Sequence, residues 1–552
     1  MAGSESATQP GWEQITLRKR AERDSKIPSQ WRFAAPLPAG TRPIDFLPVC
    51  GMMTEEELAI TDPNQDAVDL LSRLSAGQLT TEAVITAFSK RAAVAHQLTN
   101  CLSEIMFEEA IERAKWLDAE YERLGRAVGP LHGLPISVKD SFHVKGYDSS
   151  MGITALCFSP SEKTSQAVQI LLDAGAVVIA KTTVPQTLLN ADTDSIVFGR
   201  TVNPYNAQFG AGGSSGGAAA LQAMGGAALS LGTDGAGSVR MPAAMCGVVG
   251  YKPSGYRIPF DTQKILGAGA VGTTVLGPVP AAGFLGRSVR DLRLASKVVA
   301  DAEPWVTTPF LYPHPWQATS SPTKPRIGVW QHTDFVHLHP PVARGLQIAS
   351  DRLRQAGYDI IELPPPPIEG AWELQKKFFE IQDLSWMRQL LATEPHTKIV
   401  QATGIIVPET PPPDFSVAYL HELNQQIAKT LMKMTAVWNR DGGQLDAVLF
   451  VNAPHTAVPF DTYTWLGFTS ILNVIDWTGI ALPLPEFVDR QIDTKVAEES
   501  YFSELDASIQ KLYDPDAFHG LPLSVQLIGR RFEDEKLLAL AEELHAVMAP
   551  RS

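Results

Sequence analysis

Four apolar runs in this chain are too short for helices and too hydrophobic to face water: "LPISV", "AVVIA", "ALSLGTD" and "LPLSVQLI". Each is bounded by glycine, proline or charge and is rich in β-branched or aliphatic residues, the signature of a strand buried on both faces. Helical patterns alternate with them. "ALSLGTD" follows a stretch of small residues, "VARGLQIASDRLRQAGYDIIELP" reads as helix then strand, and "LPLSVQLI" leads into the amphipathic "DEKLLALAEELHAVM". A strand apolar on both faces must be covered on both, so the chain is predicted to be α/β with helices above and below a sheet. From Glu55 to Glu122 apolar residues recur at three- and four-residue spacing, broken at Gly77 and restarted after Thr80 and Thr81 as N-caps. The expectation is an extension over residues 1–54 and a single catalytic-sized domain over 55–552 with a helical lead-in. "HPWQATSSPTKP" and "ELPPPPIEG" are read as surface connections.

Composition excludes several functions. The formal net charge of -14 and a pI near 5.4 oppose a nucleic-acid or anionic-membrane footprint, which requires clustered Lys and Arg. Cys50, Cys101, Cys157 and Cys246 are scattered without C-x-x-C or metal-ligand spacing, so they are expected to be reduced thiols, and no metal site is expected. The first residues lack the apolar core of a signal peptide, no run of 18 apolar residues occurs, and "MAPRS" carries no retention address. A cytoplasmic protein without a membrane anchor is expected.

Chemistry concentrates between Phe209 and Gly247, where glycines surround Ser214 and Ser238 and no histidine occurs. In "GTDGAGSVR" the amides of Gly235, Ala236, Gly237 and Ser238 can converge on one point, as an oxyanion hole requires. A flexible turn and a phosphate-binding loop fit the same residues. Gly212-Gly213-Ser214-Ser215-Gly216 matches G-x-S-x-G, but a nucleophile elbow needs a strand immediately before the serine, and "NPYNAQFGAGG" reads as loop. The elbow reading would draw its base from His332, His337, His339, His455 or His519. Upstream, the strand "LPISV" ends in Lys139. A lysine there is ordinarily a solvated charge, but burial pushes an amine toward its neutral, basic form, and a Ser-Lys pairing needs no histidine.

Taken together, "GLPISVKD", "GGSSGG", "GTDGAGSVRMPAAMCGVVGYKPS" and "GLPLSVQLIGRR" resemble, in order and spacing, the amidase signature family of serine hydrolases. "LTNCLSEI", "KTTVPQTL", "GRTVNPYN" and "YDPDAFHGLPLSVQLIGRR" narrow the resemblance to the fungal acetamidase branch, which is also similar to fatty acid amide hydrolases. The likeness runs from Trp12 to near the C-terminus and is weakest from about 257 to 472, the segment expected to shape the substrate pocket. The resemblance implies a large mixed twisted sheet with helices on both faces. It implies hydrolysis of a small-molecule carboxylic acid amide without cofactor, through a Ser-cisSer-Lys triad and an acyl-enzyme. Ser238 would be the nucleophile, Ser214 the bridging serine after a cis peptide bond, and Lys139 the base, with the amides of residues 235 to 238 holding the oxyanion and the Leu188 backbone facing the substrate. It also implies that Asp234 and Arg240 shape the nucleophile loop, that "GYKPS" with Lys252 is a structural turn, and that a homodimer is open.

Three residues depart from the family pattern. Ala236-Gly237 replaces two glycines, Gly235 stands in place of a bulky apolar residue, and Ala218 replaces an acidic one. These leave open a weakly active or inactive relative acting as a binding or assembly component. A glutaminase subunit of a tRNA-amidating complex is opposed by the acetamidase-like N-terminal segment.

Overall fold

All four apolar runs become strands, at Pro135–Lys139, Val177–Thr182, Leu229–Asp234 and Pro522–Ile528. They belong to one 11-stranded sheet in a computed structural model that describes residues 11–34, 40–262, 277–381, 384–403, 405, 416–440, 443–495 and 500–550. The first ten residues, the last two of "MAPRS", and stretches of the middle segment at 263–276 and 406–415 lie outside the described residues. Across the sheet the strands run Leu102–Ile105, Val177–Thr182, Pro135–Lys139, Leu229–Asp234, Ala281–Gly286, Val249–Lys252, Gly479–Phe487, Pro522–Ile528, Ala447–Phe450, Arg326–Val329 and Asp359–Glu362.

The sheet is mixed. Pro135–Lys139 pairs in parallel with both Val177–Thr182 and Leu229–Asp234, the centre is antiparallel from Leu229–Asp234 to Ala447–Phe450, and the far edge is parallel again. Successive side chains on a strand point to opposite faces. Every residue of Pro135–Lys139, Val177–Thr182, Leu229–Asp234 and Ala281–Gly286 is buried, so both faces are covered. The covering elements include Gly216–Ala223, whose small residues let it sit close to the strands, and the helices Val289–Asp301, Pro340–Gln355 and Asp534–Met548. The last two follow the pattern legible in the sequence.

The lead-in is helical at Glu55–Ile60, Ala67–Ser75, Thr81–Thr99 and Phe107–Leu124. Thr80 alone is the N-cap of the third, its hydroxyl accepting from Ala83 N at 3.2 Å, while Thr81 N donates to Asp118 Oδ1 at 2.7 Å. An edge strand, Leu102–Ile105, interrupts the helices and was hidden in the helical reading by its charged Glu104. Glu104 is buried because Lys19 of the helix Trp12–Ser25 reaches it at 2.6 Å and reaches Asp148 at 2.7 Å. Residues before Glu55 thus join the core directly: one hydrophobic cluster includes Ile27, Trp31 and Leu47 and continues to Met548.

Candidate active site

The strand Pro135–Lys139 delivers Lys139 into the interior, fully buried. Its Nζ donates to Thr233 Oγ1 at 2.7 Å and to the Thr233 carbonyl at 3.3 Å, and lies 2.8 Å from Ser214 Oγ. Among the described residues no carboxylate stands within ion-pairing distance of it. Desolvation therefore dominates over the more distant Asp234 and Asp140 and lowers the amine to about 7. Thr233 was not singled out by the sequence reading, although it sits inside the "GTDG" motif.

Ser214 follows a cis peptide bond from Gly213 and precedes the helix Gly216–Ala223. A side chain at Gly213 is impossible because an ideal Cβ would lie 2.5 Å from Asn190 O and 2.9 Å from Asp192 N. The backbone at 190 to 192 thus abuts the serine-bearing turn. The segment before Ser214 is loop, with only isolated bridges, so the elbow context is absent. None of the five candidate histidines hydrogen-bonds to Ser214 or Ser238: His337 pairs with Asp506, and His339, His455 and His519 contact backbone carbonyls.

Ser238 is half-buried, whereas Lys139 and Ser214 are closed off, so Ser238 is the member open to an incoming ligand. Ser215 N donates to Ser238 O at 3.1 Å, tying the two serine loops together. The two hydroxyls themselves share no hydrogen bond in this structure. Asp234 organises the loop, its carboxylate accepting from Gly237 N at 2.7 Å, Val239 N at 3.2 Å and Arg240 Nε at 3.0 Å. Arg240 extends the network to Gln526 Oε1, Thr469 O and Asn473 Oδ1. Its charge holds Asp234 below the ordinary carboxylate range against the opposing effect of burial.

This network corrects the expectation of four convergent oxyanion amides. The Gly237 amide is committed to Asp234, leaving those of Gly235, Ala236 and Ser238 without a hydrogen-bond partner among the described residues. The helix opens at Arg240, two residues beyond Ser238. A second correction concerns Lys252. It is the last residue of Val249–Lys252, paired with Gly479, because the sheet ladder extends through it; its buried Nζ donates to the Pro253 and Trp477 carbonyls. The chain leaves the strand only at Pro253, and the turn follows at Gly255 and Tyr256.

Of the departures, Ala236 is ordinary in backbone. The positive φ lies at Gly237, +121°, where a Cβ would meet Thr469 Oγ1 at 2.2 Å. Thr469 Oγ1 instead donates to Ala236 O at 2.7 Å. A Cβ at Gly235 would meet only Pro280 Cβ, at 3.9 Å, so this position leaves open space. Ala218 is fully buried in its helix, where a carboxylate would need a partner. Thr469 and Asn473 come from the helix Gly467–Val474, which carried no motif, while Gln526 lies within "GLPLSVQLIGRR".

Removing the Arg240 charge isolates a buried carboxylate. Arg240→Ala is expected to destabilise the fold by about 3–5 kcal/mol, read as a lower denaturation midpoint in urea.

Leu188 lies on a loop in which Thr187 and Leu188 both have positive φ, 78° and 68°. Among the described residues, no group of three or more His, Cys, Asp or Glu could hold a metal, and no helix is long and apolar enough to cross a membrane. All four cysteines are free thiols.

Residues 83–538 match the family model described as Amidase. The chain is 36% identical over 546 residues to the acetamidase of Emericella nidulans, covering 97% of each protein, and 33% identical to an amidase of Gibberella moniliformis over 96% of this chain and 98% of that one. Among solved structures, a fatty acid amide hydrolase superposes with a TM-score of 0.91 at 29% identity, covering 97% of this chain and 95% of that one. The chain belongs to the amidase family and is an amide hydrolase.

Proposed function

We propose that this enzyme hydrolyses linear carboxylic acid amides, acetamidase-like in substrate class, with Ser238 as nucleophile, Ser214 as proton bridge and Lys139 as base. The observation that carries the reading is the buried Lys139 amine 2.8 Å from Ser214 Oγ, with its other two contacts on Thr233. In the neutral amine, the Thr233 hydroxyl and carbonyl oxygens take the two N–H groups, which leaves the lone pair for the Ser214 hydroxyl proton. Ser214 then takes the proton of Ser238 as Ser238 Oγ attacks the amide carbon. The missing Ser214–Ser238 hydrogen bond forms as substrate closes the site, since such bonds tighten in the reacting complex. Amides of Gly235, Ala236 and Ser238 receive the oxyanion. The proton returns through Ser214 to the leaving nitrogen, the C–N bond breaks, and ammonia or an amine departs. Water repeats the sequence on the acyl-enzyme to give the carboxylate and free Ser238.

Relatives named acetamidase support the substrate class, and the open space at Gly235 supports an acyl or amine group larger than a side chain there would admit. A panel of acetamide, aryl amides and long-chain amides offered to purified protein tests this by ammonia or amine release; no turnover of any member would overturn it.

The loop is suited to alanine, so Ala236→Gly is expected to leave fluorophosphonate labelling of Ser238 equal or slower, with a stability loss of about 0.4–1 kcal/mol from added unfolded-state freedom. A large gain in labelling from a near-inactive parent would instead mark Ala236 as a damaging substitution.

A further inference from the structure

Glu394 is a buried carboxylate far in sequence from the triad and without a Lys or Arg partner among the described residues. It lies between the helices Ser385–Leu391 and Lys398–Thr403 and is 7% exposed. One oxygen accepts from Thr154 N at 2.6 Å and from the Thr154 hydroxyl; the other accepts from Gln186 Nε2. Gln186, fully buried, also donates to Pro395 O at 3.0 Å and accepts from Thr397 N at 3.0 Å, so its whole amide is used to grip residues 394 to 397. A second tie lies at the end of the helix Lys398–Thr403, where Thr403 Oγ1 donates to Asn190 Oδ1 at 2.8 Å, and Asn190 Nδ2 donates back to Gln186 O at 3.3 Å. Burying a carboxylate among neutral donors costs stability compared with an apolar contact of the same shape.

What the clamp holds gives it a use. Gln186 and Asn190 bracket Thr187 and Leu188, whose positive φ values need outside support. Just beyond, the backbone of residues 190 to 192 fills the space a side chain at Gly213 would need, and Thr193 Oγ1 donates to Gly212 O at 2.7 Å. A continuous set of contacts therefore runs from Glu394 through Gln186 and Asn190 to the turn that presents Ser214. We propose that Glu394 and Gln186 are positioning residues for amide hydrolysis: they fix the 186–192 loop so that Ser214 stands on Lys139 and the Leu188 backbone faces the substrate. This rests on the reading of Ser214 and Ser238 given above. It assigns a role to part of the weakly matching middle segment, whose motifs indicated none.

Glu394→Gln keeps the side-chain volume and an acceptor for Thr154 but sets one NH2 group against another at Gln186. In the full-length protein, the concentration dependence of fluorophosphonate inactivation separates probe binding (KI) from bond formation (kinact). A misplaced proton bridge is expected to lower kinact about tenfold or more in protein that remains folded. Adding Gln186→Glu restores donor–acceptor pairing across the contact and is expected to recover part of the loss. Wild-type kinact in folded Glu394→Gln would overturn the proposal. So would a loss that tracks a lowered melting temperature and is not relieved by Gln186→Glu. If Glu394→Gln does not fold, Thr403→Val cuts the second tie: slower kinact supports the clamp and an unchanged value overturns it. Peptide mapping of the wild-type adduct is independent of these ratios, so an adduct away from Ser238 would count against the nucleophile assignment and not against the clamp.

Discussion

Ser238→Ala is expected to lower kcat by about 10⁴-fold or more while the protein remains folded, because the proposed nucleophile is removed and, on that proposal, only binding and the oxyanion donors remain. Ser238 is the half-buried member of the three, and its loop is held by Asp234, Arg240 and Thr469 through backbone groups and not through its hydroxyl. Losing that hydroxyl therefore removes chemistry without removing a structural contact. The check is amide turnover alongside a thermal melt: full loss with an unchanged melt is expected, and retained turnover would move the nucleophile elsewhere.

Lys139→Ala is expected to cost two to four orders of magnitude in kcat/KM, the range of a positioned proton acceptor. The same residue sets a pH dependence whose sign follows from its environment. Burial favours the neutral amine and lowers Lys139 to about 7. Below that value the amine holds its proton and cannot accept one from Ser214; above it the lone pair is free. Wild-type kcat/KM should therefore rise through a midpoint near pH 7 and level off on the alkaline side, and the residual activity of Lys139→Ala should lack that limb. A wild-type profile that is flat from pH 5 to 9, or an identical limb in the variant, would remove Lys139 as the base.

Much of the frame was legible because buried strands advertise themselves. "LPISV", "AVVIA" and "LPLSVQLI" needed no partner to be recognised, since a short, mostly apolar run of that length has few other places to go. Leu102–Ile105 was not legible, because Glu104 is buried only by virtue of Lys19, more than eighty residues earlier. The same limit applies to the site. Lys139, Ser214 and Ser238 stood out by motif, and the geometry brings the first two into contact and ties the two serine loops together. That Gly237 gives its amide to Asp234 depends on how the five-residue loop 235–239 closes, and that Thr469 and Asn473 hold this loop depends on a helix more than 200 residues away. Thr187 and Leu188 are neither glycine nor asparagine, so their left-handed backbone had no signal in residue type. The resemblance implies a turn at Lys252, whereas pairing with Gly479 keeps it in the sheet.

The central claim is that Ser238 attacks and Ser214 relays. Treating the wild-type enzyme with a fluorophosphonate, digesting it and locating the modified serine by mass spectrometry tests this most directly. One adduct is expected, on the peptide carrying Ser238, and none after Ser238→Ala; an adduct on Ser214, or no adduct in an enzyme that turns over amides, would overturn the assignment.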